Sequence, residues 1–167
     1  MRERAPLGML LFLLNEAVLF FLLIAAYVYF HNAAATAART LNLGPASAFT
    51  ACLAASSFTM WRGAATGARG PVTVTFGLGV IFLLGQGAEY WRLFHRNITI
   101  ANTQFGTTFF TLTGIHGLHV LVGLVLLLLV SSGGALRPAL QSVAFYWYFV
   151  DAVWIAIFVV VYLGTLL

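Results

Sequence analysis

Three carboxyl groups and two histidines stand inside apolar stretches of this 167-residue chain: Glu16, Glu89, Asp151, His116 and His119. The arginines do the opposite. All eight lie at or beyond the ends of those stretches, and there is no lysine. A bare carboxylate in hydrocarbon is costly, so such a group takes up a proton, finds a partner, or both. Acids within membrane segments are therefore rare, usually face a helix bundle, and mark functional or organising positions. Acid and imidazole together can share a proton, pass it on, or bind a metal.

The elements that must carry these groups follow from composition. With 62% hydrophobic and 7% charged residues, the chain lies far outside the soluble globular range. Five apolar runs, at about 7–30, 41–61, 71–91, 105–130 and 139–166, are long enough to cross a bilayer as helices. Nothing alternates with period two, so barrel strands are not expected. Stop and start signals separate the runs: His31-Asn32, residues 62–70, residues 92–104 and residues 131–138, with Pro71 and Pro138 suited to first helical turns. The second run is the least apolar. Its Asn42, Gly44, Pro45, Ser47, Ser56, Ser57 and Thr59 suit a helix packed closely on neighbours rather than one facing lipid all round.

The arginines set an expected orientation. A cytoplasmic N-terminus places Arg2, Arg4, Arg62, Arg69 and Arg137 inside, against Arg39, Arg92 and Arg96 outside. Five against three favours N-terminus in and C-terminus out. The net charge of +4 is this same bias and gives no support for nucleic-acid binding. Ala33-Ala34-Ala35 after the first run resembles a cleavage site, but the run exceeds a signal h-region and holds Asn15-Glu16 at its middle. An uncleaved span is expected. The lone Cys52 reads as a small packing residue.

With that orientation, Glu16 lies roughly 14 Å from the cytoplasmic end of its helix, and Asp151 and His119 lie near ~18 Å. His116 is one turn farther out. Glu16, His116, His119 and Asp151 thus form one expected polar layer near the midplane, with Glu16 pairing with His116 or His119. Glu89 belongs near the outer surface, where Arg92 at i+3 and Arg96 at i+7 can neutralise it. His31 and His95 stand well away in depth, and Tyr27 and Tyr29 read as interfacial anchors. Spacing of i, i+3 puts both midplane imidazoles on one helix face, so a metal site with Glu16 or Asp151 is the competing reading. Histidines that hydrogen-bond across helices and hold the bundle in register are the favoured one. Gly77, Gly79, Gly85, Gly87, Gly114, Gly117 and Gly123 offer backbone for close approach. On physics alone the chain is an all-α, integral membrane five-helix bundle, a single transmembrane domain over 1–167. No catalytic, cofactor or metal residue is assigned.

Five segments resemble a known family. They are Asn15-Glu16-Ala17-Val18-Leu19-Phe20-Phe21, Gly85-Gln86-Gly87-Ala88-Glu89-Tyr90, Phe105-Gly106-Thr107-Thr108-Phe109-Phe110, Thr113-Gly114-Ile115-His116-Gly117-Leu118-His119-Val120 and Tyr146-Trp147-Tyr148-Phe149-Val150-Asp151-Ala152-Val153-Trp154. In this order they resemble subunit III of the haem-copper oxidases, in its shorter five-helix form. Tyr148 departs from the family, where many members carry histidine.

The resemblance implies a non-catalytic subunit of a terminal oxidase that reduces O2 to water and pumps protons. Haems and copper would belong to subunits I and II. Subunit III would buttress subunit I, bind phospholipid and support proton uptake, with a small subunit IV as a further partner and cytochrome c or a quinol as donor. The expected location is the bacterial plasma membrane. Two related readings share the fold: a quinol-oxidase subunit III and an accessory protein of nitric oxide reductases. A different class, a stand-alone proton or ion transporter, would use Glu16, His119 and Asp151 as a relay. It fares poorly because Leu23, Ile155 and Phe158 line the outward route.

Overall fold

The apolar runs become five long helices. A computed structural model describes residues 4–31, 41–132 and 137–164. Arg2, Arg39, Ala33-Ala34-Ala35 and residues 165–167 lie outside the described residues, as do the side chains of Arg4, His31, Arg137 and Pro138. The helices are α1 (Arg4–His31), α2 (Leu43–Thr66), α3 (Arg69–His95), α4 (Gln104–Ser132) and α5 (Arg137–Phe158). A π-helical turn, Val159–Leu163, follows α5 directly. Among the described residues there is no strand.

Four of these helices, α1, α3, α4 and α5, are long and apolar enough to cross a membrane. The fifth, α2, has the length: its 24 residues span about 36 Å against a hydrocarbon core of about 30 Å. It falls short in hydropathy, as its serines and threonines foretell. Helix ends run past the apolar stretches because polar residues at the interface remain helical. Arg62 belongs to α2, and the expected 62–70 loop contracts to Gly67 and Ala68. Gly67 takes a left-handed φ of 73° that a side chain would resist, and its N–H bonds the carbonyl of Gly63 at 2.8 Å. Pro71 stands third in α3, where its missing N–H leaves no intrahelical bond unmade.

Helices α2, α3, α4 and α5 form a ring in which each packs on the next and α5 closes back on α2. Helix α1 lies outside the ring, against α4 and to a lesser extent α5. Aromatic side chains fill the interior, with Phe82, Trp147 and Trp154 almost wholly buried. Trp147 enters because glycines face it from two other helices. A Cβ on Gly79 of α3 would come 2.7 Å from its ring, and one on Gly123 of α4 would come within 2.9 Å. Two of the sequence glycines do no such work: Gly77 and Gly87 face open space.

Candidate functional site: the intramembrane polar groups

The polar groups inside the helices resolve into separate contacts rather than one connected layer. The first joins α1 to α4. His119 Nδ1 stands 2.8 Å from the carbonyl of Ile115, one turn back on its own helix, and Nε2 stands 2.9 Å from Glu16 Oε2. A carbonyl can only accept, so Nδ1 carries the hydrogen. The 2.9 Å contact then requires a proton between Nε2 and Oε2, as a neutral acid donating to imidazole or as an imidazolium–carboxylate pair. Either way one proton is shared, which is what a carboxyl in hydrocarbon needs. Phe20 meets the imidazole edge-on at 5.0 Å, and Tyr146 of α5 donates its hydroxyl to the His119 carbonyl at 3.1 Å. The pair is not sealed: the two side chains keep 14% and 13% of their surface exposed.

The second contact joins α5 to α2. Trp147, Asp151 and Trp154 recur at i, i+4 and i+7, on one face of α5. Asp151 Oδ2 accepts from the hydroxyl of Ser57 and lies 3.4 Å from that of Ser56. Trp147 Nε1 donates to Ser56 Oγ at 2.9 Å, and Trp154 Nε1 donates to Thr50 Oγ1 at 3.0 Å. Ser56 directs its own hydrogen at the Leu53 carbonyl, 2.6 Å away. Asp151 is only 5% exposed and finds its partners on α2, not among the other titratable groups.

His116, expected as an alternative partner for Glu16, bonds neither acid. It is wholly buried, and both ring nitrogens lack a hydrogen-bond partner among the described residues. Aromatic rings from three other helices surround it: Trp154 stacks at 5.0 Å, while Phe82 and Phe20 stand edge-on at 5.9 and 6.2 Å. Its ring packs as an aromatic spacer among α1, α3, α4 and α5.

At the other end of α3, Glu89 pairs with Arg92, and the backbone N–H of Asn42 reaches its Oε1 at 3.5 Å. A carboxylate thus sits at the N-terminus of α2, where the helix dipole favours negative charge and the Asn42 side chain makes no cap. Arg96 occupies the C-cap of α3 and is exposed. The π-helical turn buries consecutive residues, Val161 and Tyr162, and brings Tyr162 beside Gln86 and Glu89. Tyr29 is 79% exposed, whereas Tyr27, read as its companion anchor, is 1% exposed and meets Phe105 at 6.4 Å. Two positions apart on a helix, the two side chains point to nearly opposite sides, Tyr27 inward and Tyr29 outward.

Sequence reading passed over Thr50, Ser56, Ser57, Trp147 and Trp154 as site residues. The signal was there: hydroxyls in mid-helix on α2, and two indole N–H groups flanking an acid at helical spacing.

Membrane-length helices whose buried polar groups mostly join one helix to another define an integral membrane helix bundle. Comparison with known proteins narrows the class. The family model for cytochrome c oxidase subunit III matches residues 46–165. A probable cytochrome c oxidase subunit 3 of Mycobacterium leprae is 40% identical over 136 residues, covering 73% of this chain and 67% of its own. The cytochrome c oxidase subunit 3 of Corynebacterium diphtheriae is 38% identical over 139 residues, covering 75% and 68%. That of Synechocystis is 34% identical over 175 residues, covering 93% and 74%. The chain belongs to the cytochrome c oxidase subunit III family.

Proposed function

We propose that the chain is the non-catalytic subunit III of a proton-pumping haem-copper terminal oxidase. Its work is to buttress subunit I, hold phospholipid at the contact and support proton uptake, while haems and copper reside in subunits I and II. The relatives named above are cytochrome c oxidase subunits, which favours cytochrome c over a quinol as donor to the complex. The proposed setting is a bacterial plasma membrane, with the N-terminus cytoplasmic and the C-terminus outside. Arg62 and Arg69 then flank the cytoplasmic α2–α3 turn, and Arg92 and Arg96 mark the outer end of α3.

The observation that carries the supporting role is the Glu16–His119 pair. It shares a proton within the membrane, stands partly open at the edge of the ring, and binds the outlying helix α1. Glu16→Ala is expected to leave the initial rate of O2 consumption of the assembled complex intact. It should weaken attachment to subunit I or shorten the time the complex survives turnover. Steady-state O2 consumption followed over time decides this. Immediate, complete loss of activity in a fully assembled mutant complex would place Glu16 in the chemistry and overturn the non-catalytic assignment.

A further inference from the structure

Helix α2 is long enough to cross the membrane but not apolar enough to be counted with the other four. Its partner α3 shadows it along almost its whole length, in antiparallel register. Asn42 meets Glu89 at one end, a Cβ on Gly85 would lie 2.5 Å from the Phe49 ring, Thr59 Oγ1 lies 2.7 Å from Thr75 Oγ1, and a Cβ on Gly63 would meet Val72 at 2.8 Å. Thr75 Oγ1 also lies 3.4 Å from the Ser56 carbonyl and 3.0 Å from that of Pro71. Only Gly67 and Ala68 separate the two helices, and a glycine in the left-handed region makes so short a reversal possible. Among the hydroxyls that lower the hydropathy of α2, those of Thr50, Ser56, Ser57 and Thr59 are engaged by α3 or α5.

We propose that α2 enters the membrane only as one limb of a hairpin with α3, packed closely on that helix and bonded to it through Thr59 before α5 arrives to engage Thr50, Ser56 and Ser57. Entering alone, α2 would present Ser56, Ser57 and Thr59 to hydrocarbon with only their own backbone carbonyls as partners. Entering beside α3, it exchanges this for the Thr59–Thr75 bond and close backbone packing. Trp147, Asp151 and Trp154 then add their bonds from α5, which follows later in the chain. Up to Ala55 the exposed face of α2 is made of small residues such as Gly44, Ser47, Ala48, Ala51 and Ala55. Only Phe58 and Trp61, near its C-terminal end, are large and apolar there, and the helix as a whole stays below the hydropathy of the other four.

Cys52, the only cysteine, lies in α2 and reports its position without any added label site. Full-length chain is made by cell-free translation in the presence of membrane vesicles, which are then opened by freeze–thaw and treated with a membrane-impermeant maleimide. A thiol held in hydrocarbon is out of reach of such a reagent and is protected. The native sequence is expected to be protected. Thr75→Leu with Gly85→Leu splits the hairpin from the α3 side alone, leaves α2 unchanged and makes α3 more apolar. Loss of Cys52 protection is the expected result. Adding Ala48→Leu, Ala51→Leu and Ala55→Leu on the exposed face of α2 should restore it, because α2 then inserts unaided. Two results overturn the proposal. Continued protection in the split variant would mean that α2 inserts alone. Failure of the three leucines to restore protection would mean that the loss came from general misfolding.

Discussion

Helices α1 and α2 are held to the same bundle by opposite means. Helix α1 is strongly apolar, and only 6% of its apolar window is buried. Leu7, Leu11, Leu14, Val18, Phe21 and Leu22 face outward, and its attachment rests on Phe20, Tyr27 and the Glu16–His119 pair. Helix α2 has few large apolar residues but hydrogen-bonds α3 and α5 from Asn42 to Thr59. Between two helices in lipid the hydrophobic effect offers little, because lipid tails are as apolar as leucine. What remains is close packing and hydrogen bonding. Helix α2 uses both, whereas α1 depends on lipid to hold it in the membrane and on the Glu16–His119 pair and aromatic contacts such as those of Phe20 and Tyr27 to hold it to its neighbours.

The contrast breaks most visibly where α2 meets α3 without room to spare. Gly85→Leu drives a side chain into the Phe49 ring and is expected to cost about 3 kcal/mol, the upper range of overpacking. Thermal unfolding in detergent, compared with Gly87→Leu at a position open to lipid, measures it. Asp151→Leu removes the acceptor that Ser57 uses and is expected to cost about 2 kcal/mol, while Asp151→Asn keeps an acceptor and should cost less than half as much. Equal effects of the two would mean that side-chain size, not hydrogen bonding, matters there. Trp147→Phe withdraws the outer ring of the indole from the Gly79–Gly123 space and loses the bond to Ser56, for about 1.5 kcal/mol.

The smallest global effect is expected at Glu16. Glu16→Leu replaces a shared-proton pair with an apolar side chain on a helix that lipid already accepts, so the unfolding temperature of the bundle should move little. Hydrogen exchange or limited proteolysis of α1 should rise while the α2–α5 ring stays protected. A ring that loosens together with α1 would erase the distinction between the two modes of attachment.

How far the sequence reached follows the same division. The helices were legible because the apolar runs are long and Arg, Gly and Pro punctuate them. Even the odd character of α2 was visible in Ser56, Ser57 and Thr59. The partners were not, since depth along a helix can be counted from residues but rotation about its axis cannot. Depth placed Asp151 level with His119, yet its face turns to the hydroxyls of α2 instead. Depth favoured His119 over His116 as the partner of Glu16 but could not say whether the two helix faces meet; rotation brings His119 to Glu16 and turns His116 into the aromatic interior. The π-helical turn that presents Tyr162 has no composition signal in Val159, Val160 and Val161.

The supporting role assigned to the whole chain can be tested most directly by purification in mild detergent followed by a visible spectrum. The chain is expected to travel with haem-bearing polypeptides and, once separated from them, to show no Soret band and no stoichiometric metal. A separated chain carrying about one equivalent of haem, copper or zinc would contradict it and return His116 and His119 to the role of ligands. So would a chain that emerges intact and alone, with no haem-bearing partner under conditions that preserve membrane complexes.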